Sequence, residues 1–350
     1  MARSAVLTTR TPSIVVATTV DGVVGVRDTT RIGPVTGAGS PSRTDERFGI
    51  HATDLGILWD SGDGRVYAAF GDTYGRGWGG SGPGPGDADW RRNVLAYSAT
   101  RDLSGGLLFD GVVARQDGAA RQVLPSGRGR EVTVIPNSGI AVGGTHYLHY
   151  MSVRRWGRPG VWRTNYAGLA VSGDQGRTWA KPRRARWSNR GGDDRFQLGA
   201  FAASEEHVYL LGTTNGRYGD AYLARAVPAA LPARSAFEYW TGARWAGRQR
   251  EAVPVVDGPV GEMSLGFHTT LGRWLLLHLD ERRRGLVLRS AERLTGPWTR
   301  GEVVVSGDEY PAVYGGYLHP WSLAGTDLYF LVSQWGPYNV YLTRTRLVPE

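Results

Sequence analysis

The sequence has no cysteine and a single lysine, Lys181. Without cysteine there are no thiolate metal sites, no iron–sulfur clusters and no cysteine nucleophile. The shortage of lysine reads as GC-rich codon usage, with arginine supplying the other bases. No apolar run reaches the roughly 18 residues of a membrane-spanning helix, so no membrane partner is expected. The phosphate loop, the G-x-S-x-G elbow and the dinucleotide fingerprint are all missing, and no cofactor is expected. Seven histidines are scattered, and His51, His146 and His149 lack a carboxylate at ligand spacing, so no metal is expected either. The first twenty residues carry no long apolar core of a signal peptide. The chain is therefore either a secreted protein whose leader has been removed or a cytosolic one.

Present instead are 51 glycines, 13 tryptophans and 16 tyrosines in 350 residues. Glycine serves turns and close backbone approaches, while aromatics suit pleated sheets and sugar-stacking platforms. The formal net charge is +9. The arginines are spread along the chain, with short clusters at Arg183–Arg186 and Arg282–Arg284. This reads as a solvated face, and no nucleic-acid partner is expected.

Helical periodicity is weak, whereas short β-branched and aromatic runs recur between Gly, Asp and Asn. One unit repeats: an apolar strand, a turn, a second strand with an early aromatic, then a third strand. The second strand reads VYAAFGDT at Val66, HYLHYMSV at His146, VYLLGTTN at Val208, RWLLLHLD at Arg273 and LYFLVSQW at Leu328. Five small antiparallel sheets that cannot bury their faces alone pack radially into an all-β, five-bladed β-propeller. Residues 46–350 form that propeller, and residues 1–45, with strand-like SIVVATTV and VVGVRD, supply a closing strand. Ser172-Gly-Asp-Gln-Gly-Arg-Thr-Trp179 matches the Asp-box pattern, whose Asp caps a hairpin turn over a buried Trp. It is structural, as is the Gly-Pro turn inside Ser290–Trp298.

In such a fold the start of each first strand and the end of each second strand meet at one rim. There the repeats place Asp54, Asp72, Gln197, Glu262, Asp280 and His319. A hairpin centred on Asp63 puts Asp54 and Asp72 directly opposite each other. Opposed like charges destabilise a sheet, so a fold keeps such a pair where it is useful. One carboxyl can then hold its proton while the other stays ionised, as glycoside cleavage requires. Asp72 follows the apolar VYAAF strand and lies under a bulky Gly/Trp loop, which favours it as the acid and Asp54 as the base. The alternative is a turn-capping Asp beside a solvated one. Glu262 and Asp280 form a second candidate pair. Trp78 and Trp90 are candidate sugar platforms, with core packing as the alternative. Asn93, Asn165, Arg217, His268 and Trp335 occupy equivalent rim positions.

The strings TDLGILWD, VYAAFGDTYG, WRRNVLAYS, RTNYAGLAVSGDQGRTW, FEYWTG, GPVGEMS, YGGYLHPW and SQWGPYNVYLTRT together resemble the domain-of-unknown-function family 4185, also glycoside hydrolase family 183. The resemblance runs from about Thr44 to Leu347 and places the chain among proteins found largely in actinobacteria and their phages. It implies a secreted five-bladed propeller, expected to be monomeric. It also implies endo-acting cleavage of α-D-arabinofuranosyl linkages in the D-arabinan of mycobacterial arabinogalactan and lipoarabinomannan, with inversion. Asp54 in TDLG and Asp72 in FGDT occupy the essential positions. Two other readings compete: a glycan-binding propeller without activity, and an exo-acting furanosidase. Inversion sits uneasily with direct opposition. Opposed Cβ atoms lie about 4.5–5.5 Å apart, and inverting carboxyls about 6.5–9.5 Å.

Overall fold

A computed structural model describes residues 24–127 and 129–349. The strand-like stretch SIVVATTV lies outside the described residues. Nearly all the regular structure among the described residues is β, with one short α-helix at Thr44–Phe48 and five three-residue 3-10 turns. Five small sheets form the blades of a five-bladed propeller. Blade 1 runs Leu55–Asp60, Val66–Phe70, Val94–Ser98 and Gly111–Val112, and blade 2 Thr133–Val142, Thr145–Trp156, Trp162–Ser172 and Arg186–Ser188. Blade 3 opens with Leu198–Ala203, Val208–Thr213 and Ala221–Ala226, and ends in the short strands Glu238–Trp240 and Trp245–Ala246. Blade 4 runs Met263–His268, Arg273–Asp280, Gly285–Ala291 and Glu302–Ser306. Blade 5 combines Val313–Leu318, Asp327–Gln334 and Asn339–Pro349 with Val24–Pro34.

The first strand of each blade packs against the first strands of both neighbours, and the cycle closes from blade 5 back to blade 1. These inner strands are apolar on both faces, as a strand sandwiched between sheets must be. Leu55, Ile57, Leu198, Ala200, Val313 and Tyr317 are all buried. Val24–Pro34 pairs antiparallel with Asn339–Pro349, so blade 5 is built from residues near both ends of the described chain. Closure of the ring leaves only short sheet edges to protect.

The Asp-box builds its turn from side chains. Asp174 accepts hydrogen bonds from the Thr178 backbone N–H at 2.8 Å and from the Thr178 hydroxyl at 2.7 Å. Gly176 adopts φ +79°, and Trp179 is buried beneath with its Nε1 donating to the Gly176 carbonyl. None of these groups faces the site described next.

Candidate active site

The hairpin of blade 1 keeps the expected register from Ile57↔Ala69 to Asp60↔Val66, then slips by one residue between Ile57 and Leu55. The slip is a bulge: Leu55 and Gly56 take φ +70° and +92°. A non-glycine residue in the left-handed region is strained, and such strain gathers at functional sites. Its effect is to place Asp54 opposite Gly71, whose N–H donates to the Asp54 carbonyl at 3.1 Å. A Cβ at position 71 would lie 2.3 Å from Asp54 Oδ1, so glycine there makes room for the carboxylate. Asp54 and Asp72 therefore do not oppose each other directly.

Both carboxylates line one cavity of about 780 Å³ at the rim. Asp54 is 9% exposed. Its Oδ2 accepts hydrogen bonds from the Tyr314 hydroxyl at 2.9 Å and the Tyr338 hydroxyl at 3.3 Å. Its Oδ1 is buried without a partner. Burial, then the nearby Asp72 charge, raise the carboxyl to about 8, against the pull of the two phenols. Asp72 is half-buried, and its Oδ1 accepts from Trp90 Nε1 at 2.9 Å and the Thr133 hydroxyl at 3.0 Å. Burial raises it to about 6, with those two bonds and the Arg92 charge holding it down. The more enclosed carboxyl is thus Asp54, not Asp72 as the sequence suggests. The apolar strand before Asp72 does not decide burial here; the tyrosines of blade 5 do.

A third set of charges faces them. Arg217 bonds Glu262 through Nε and Nη2 at 2.8–3.1 Å and Glu281 through Nη1 at 3.2 Å. Its guanidinium lies 5.2 Å from the Tyr314 ring centroid, which links this cluster to Asp54. The expected partner Asp280 is elsewhere: its carboxylate caps a turn, accepting the N–H groups of Arg282 and Arg283. Glu262 meets Leu279 in the ladder, so the next residue facing the cavity is Glu281. Strand alternation in the sequence around Asp280-Glu281 carried that signal.

The remaining candidates divide by location. Trp90 and Trp335 line the cavity. Trp335 is 48% exposed and stands against Tyr314 and Tyr338, the two residues that hold Asp54. Trp78 instead packs beside Tyr74, Trp90 and Tyr338 and donates Nε1 to the Gly82 carbonyl, propping the Pro83–Gly86 wall. Asn93 is buried and fixes the backbone of Val123, Leu124 and Val134. Gln197 is buried against Thr164 and the Trp187 carbonyl. Asn165 bonds Ser152 and the Arg130 carbonyl. His268 and His319 lie at the opposite rim. His268 pairs with Arg273 at the far hairpin, and His319 follows the end of its strand, near Asp60. His268 ends one first strand and His319 follows another, and those ends point away from the cavity, so neither lies at the rim where the repeats place them. Trp156 and Trp162 were not anticipated. They flank the tip of the long second hairpin of blade 2, which leans over the cavity and accepts the Arg217 N–H at the Gly160 carbonyl. Among the described residues no group of three His, Asp or Glu is arranged to hold a metal.

Two unequal enclosed carboxylates in one cavity are what general acid–base chemistry requires. Residues 39–344 match the family described as Domain of unknown function (DUF4185), and the chain belongs to that family. The Aspergillus sp. (strain MF297-2) "Notoamide biosynthesis cluster protein J" is 31% identical over 318 residues, 85% of this chain and 83% of that protein. Relatives of this chain are therefore not confined to actinobacteria. Among solved structures, a Bacteroides ovatus protein assigned only provisionally as a hydrolase superposes with a TM-score of 0.61 at 13% identity, covering 85% of this chain and 86% of its own. CoXyl43, a GH43 β-xylosidase/α-arabinofuranosidase from a compost microbial metagenome, superposes at 0.51 and 12% identity, covering 93% and 95%.

Proposed function

We propose that the chain is a secreted endo-D-arabinanase that cleaves internal α-D-arabinofuranosyl linkages with inversion. The observation that carries the glycosidase reading is the unequal pair: Asp54, raised to about 8 with a bare Oδ1, and Asp72, raised to about 6, in one cavity. At neutral pH Asp54 keeps its proton and Asp72 is ionised. Asp54 protonates the glycosidic oxygen as the C1–O bond breaks. Asp72 takes a proton from a water that forms the new C1–O bond on the opposite face. The D-arabinan of arabinogalactan and lipoarabinomannan as substrate rests on the family strings. It is supported by a fold shared with an α-arabinofuranosidase and by the aromatic walls Trp156, Trp162 and Trp335.

The test is incubation with purified mycobacterial arabinogalactan and separation of products by size. Oligosaccharides with newly formed ends of inverted configuration are expected. Release of arabinose alone would make the enzyme exo-acting, and intact polymer would remove the glycosidase reading.

The pH profile follows from the same pair. Activity needs Asp72 ionised, so it is lost as pH falls through about 6. It needs Asp54 protonated, so it is lost as pH rises through about 8. A bell-shaped kcat/KM with those two limbs, belonging to the coupled pair, is expected. A profile flat from pH 5 to pH 9, measured on a soluble oligosaccharide, contradicts the acid–base assignment.

A further inference from the structure

Beside the catalytic cavity lies a second depression of about 510 Å³, and Val132 walls both. It begins on the Asp72 side, because Thr133, which donates to Asp72, is the next residue. Four arginines line it: Arg130, Arg154, Arg155 and Arg163. All four are exposed. Among the described residues none of them is in an ion pair. The one acid present, Glu131, is already engaged, by the Ser152 hydroxyl at 2.6 Å and Lys181 Nζ at 3.6 Å.

The backbone concentrates these charges. Arg155 stands directly across the strand pair from Arg163, an arrangement that costs stability between like charges. Thr164 then pairs with Val153, so Arg154 is the extra residue of a bulge, a device that re-aims side chains beside active sites. Asn165 is the extra residue of the next irregularity, and its amide holds the Arg130 carbonyl at 3.3 Å. Arg163 Nη1 packs so close to Gly192 that a Cβ there would sit 2.9 Å away. Guanidinium groups present paired donors that match carboxylate and phosphate oxygens.

We propose that Arg130, Arg154, Arg155 and Arg163 form an anion-recognising subsite contiguous with the catalytic cavity, taking a carboxylate or phosphate group carried by the glycan. This rests on the glycan reading of the cavity. The substrate class is thereby narrowed to arabinan bearing anionic substituents near the cleavage point.

The test uses the full chain carrying Asp72→Asn, so that glycans bind without being cut. Neutral arabinan oligosaccharides, and the same oligosaccharides with one phosphate ester or one carboxymethyl group, are titrated calorimetrically at about 50 mM salt. An anionic form is expected to bind at least about tenfold more tightly than the neutral one. Adding Arg155→Gln and Arg163→Gln should bring that ratio to about one. Adding Arg248→Gln and Arg250→Gln, between Trp245–Ala246 and Pro254–Val256, should leave it unchanged. The phosphate and carboxymethyl arms tell which anion is preferred. A ratio near one in the parent, or an equal fall in the Arg248/Arg250 control, overturns the subsite. If no oligosaccharide binds, the glycan reading fails, and inorganic phosphate and acetate are titrated by NMR. A saturable shift abolished by Arg155→Gln and Arg163→Gln then retains the anion site, and no saturable shift overturns it.

Discussion

Asp54→Asn and Asp72→Asn are each expected to lower kcat/KM on arabinan by at least about a hundredfold, the low end of general acid–base effects. Asparagine keeps size and polarity, so neither variant should lose the fold. Stability should move the other way. Both carboxyls have folded-state values above the unfolded value of about 3.9. The folded chain therefore holds protons that the unfolded chain has released. Their favourable contribution is complete below about pH 4 and is lost as pH rises through about 6 and then about 8. Both asparagine variants should consequently melt at the same or a higher temperature than the native chain at pH 8. An aryl arabinoside with a good leaving group needs little protonation, so it should partly rescue Asp54→Asn and not Asp72→Asn. The reverse pattern exchanges the roles. Near-native activity in both variants removes the pair and moves attention to Glu262 and Glu281.

Arg217→Gln should be the most damaging substitution that spares both aspartates. It leaves Glu262 and Glu281 without their shared cation in a mostly enclosed site. Stripping one partner from a buried cluster costs on the order of 3 kcal/mol. The expected result is a clear fall in melting temperature together with an altered pH profile. Glu262 already pushes the Asp54 carboxyl upward. With its charge no longer offset, Asp54 should hold its proton to higher pH, and the alkaline limb should move up. A variant with normal stability and an unmoved alkaline limb would show that the cluster is electrostatically isolated from Asp54.

The propeller was legible because five copies of one strand unit recur, each with an aromatic near the start of its second strand. The strand Arg273–Asp280 appears in the structure with the bounds read from sequence. Asp54 and Asp72 were legible as a pair because they flank one hairpin. Their environments were not. The groups that set them, Tyr314 and Tyr338, come from blade 5, and no local pattern connects residue 54 to residues 314 and 338. The bulge at Gly56 was equally hidden, since TDLG reads as an unbroken strand. His268 and His319 failed for a simpler reason. They stand at the far ends of first strands, where strand direction carries a side chain to the opposite rim. No run of charge in the sequence marks the arginine group, because its members come from a loop and two paired strands. Trp156 and Trp162 lay at a hairpin tip whose length, not composition, brings them over the cavity.

The seam of the ring runs beside the proposed proton donor. Asp54 belongs to blade 1, and the phenols that grip its Oδ2 belong to blade 5, which is itself stitched together by the pairing of Val24–Pro34 with Asn339–Pro349. A chain with blades 1 to 4 in place but the ring still open has both aspartates and no working acid. Latency is thereby written into the topology. On the proposed mechanism hydrolytic power arises at the moment of closure, and anything that springs the seam, such as loss of the outer strand, should silence it before the other blades unfold.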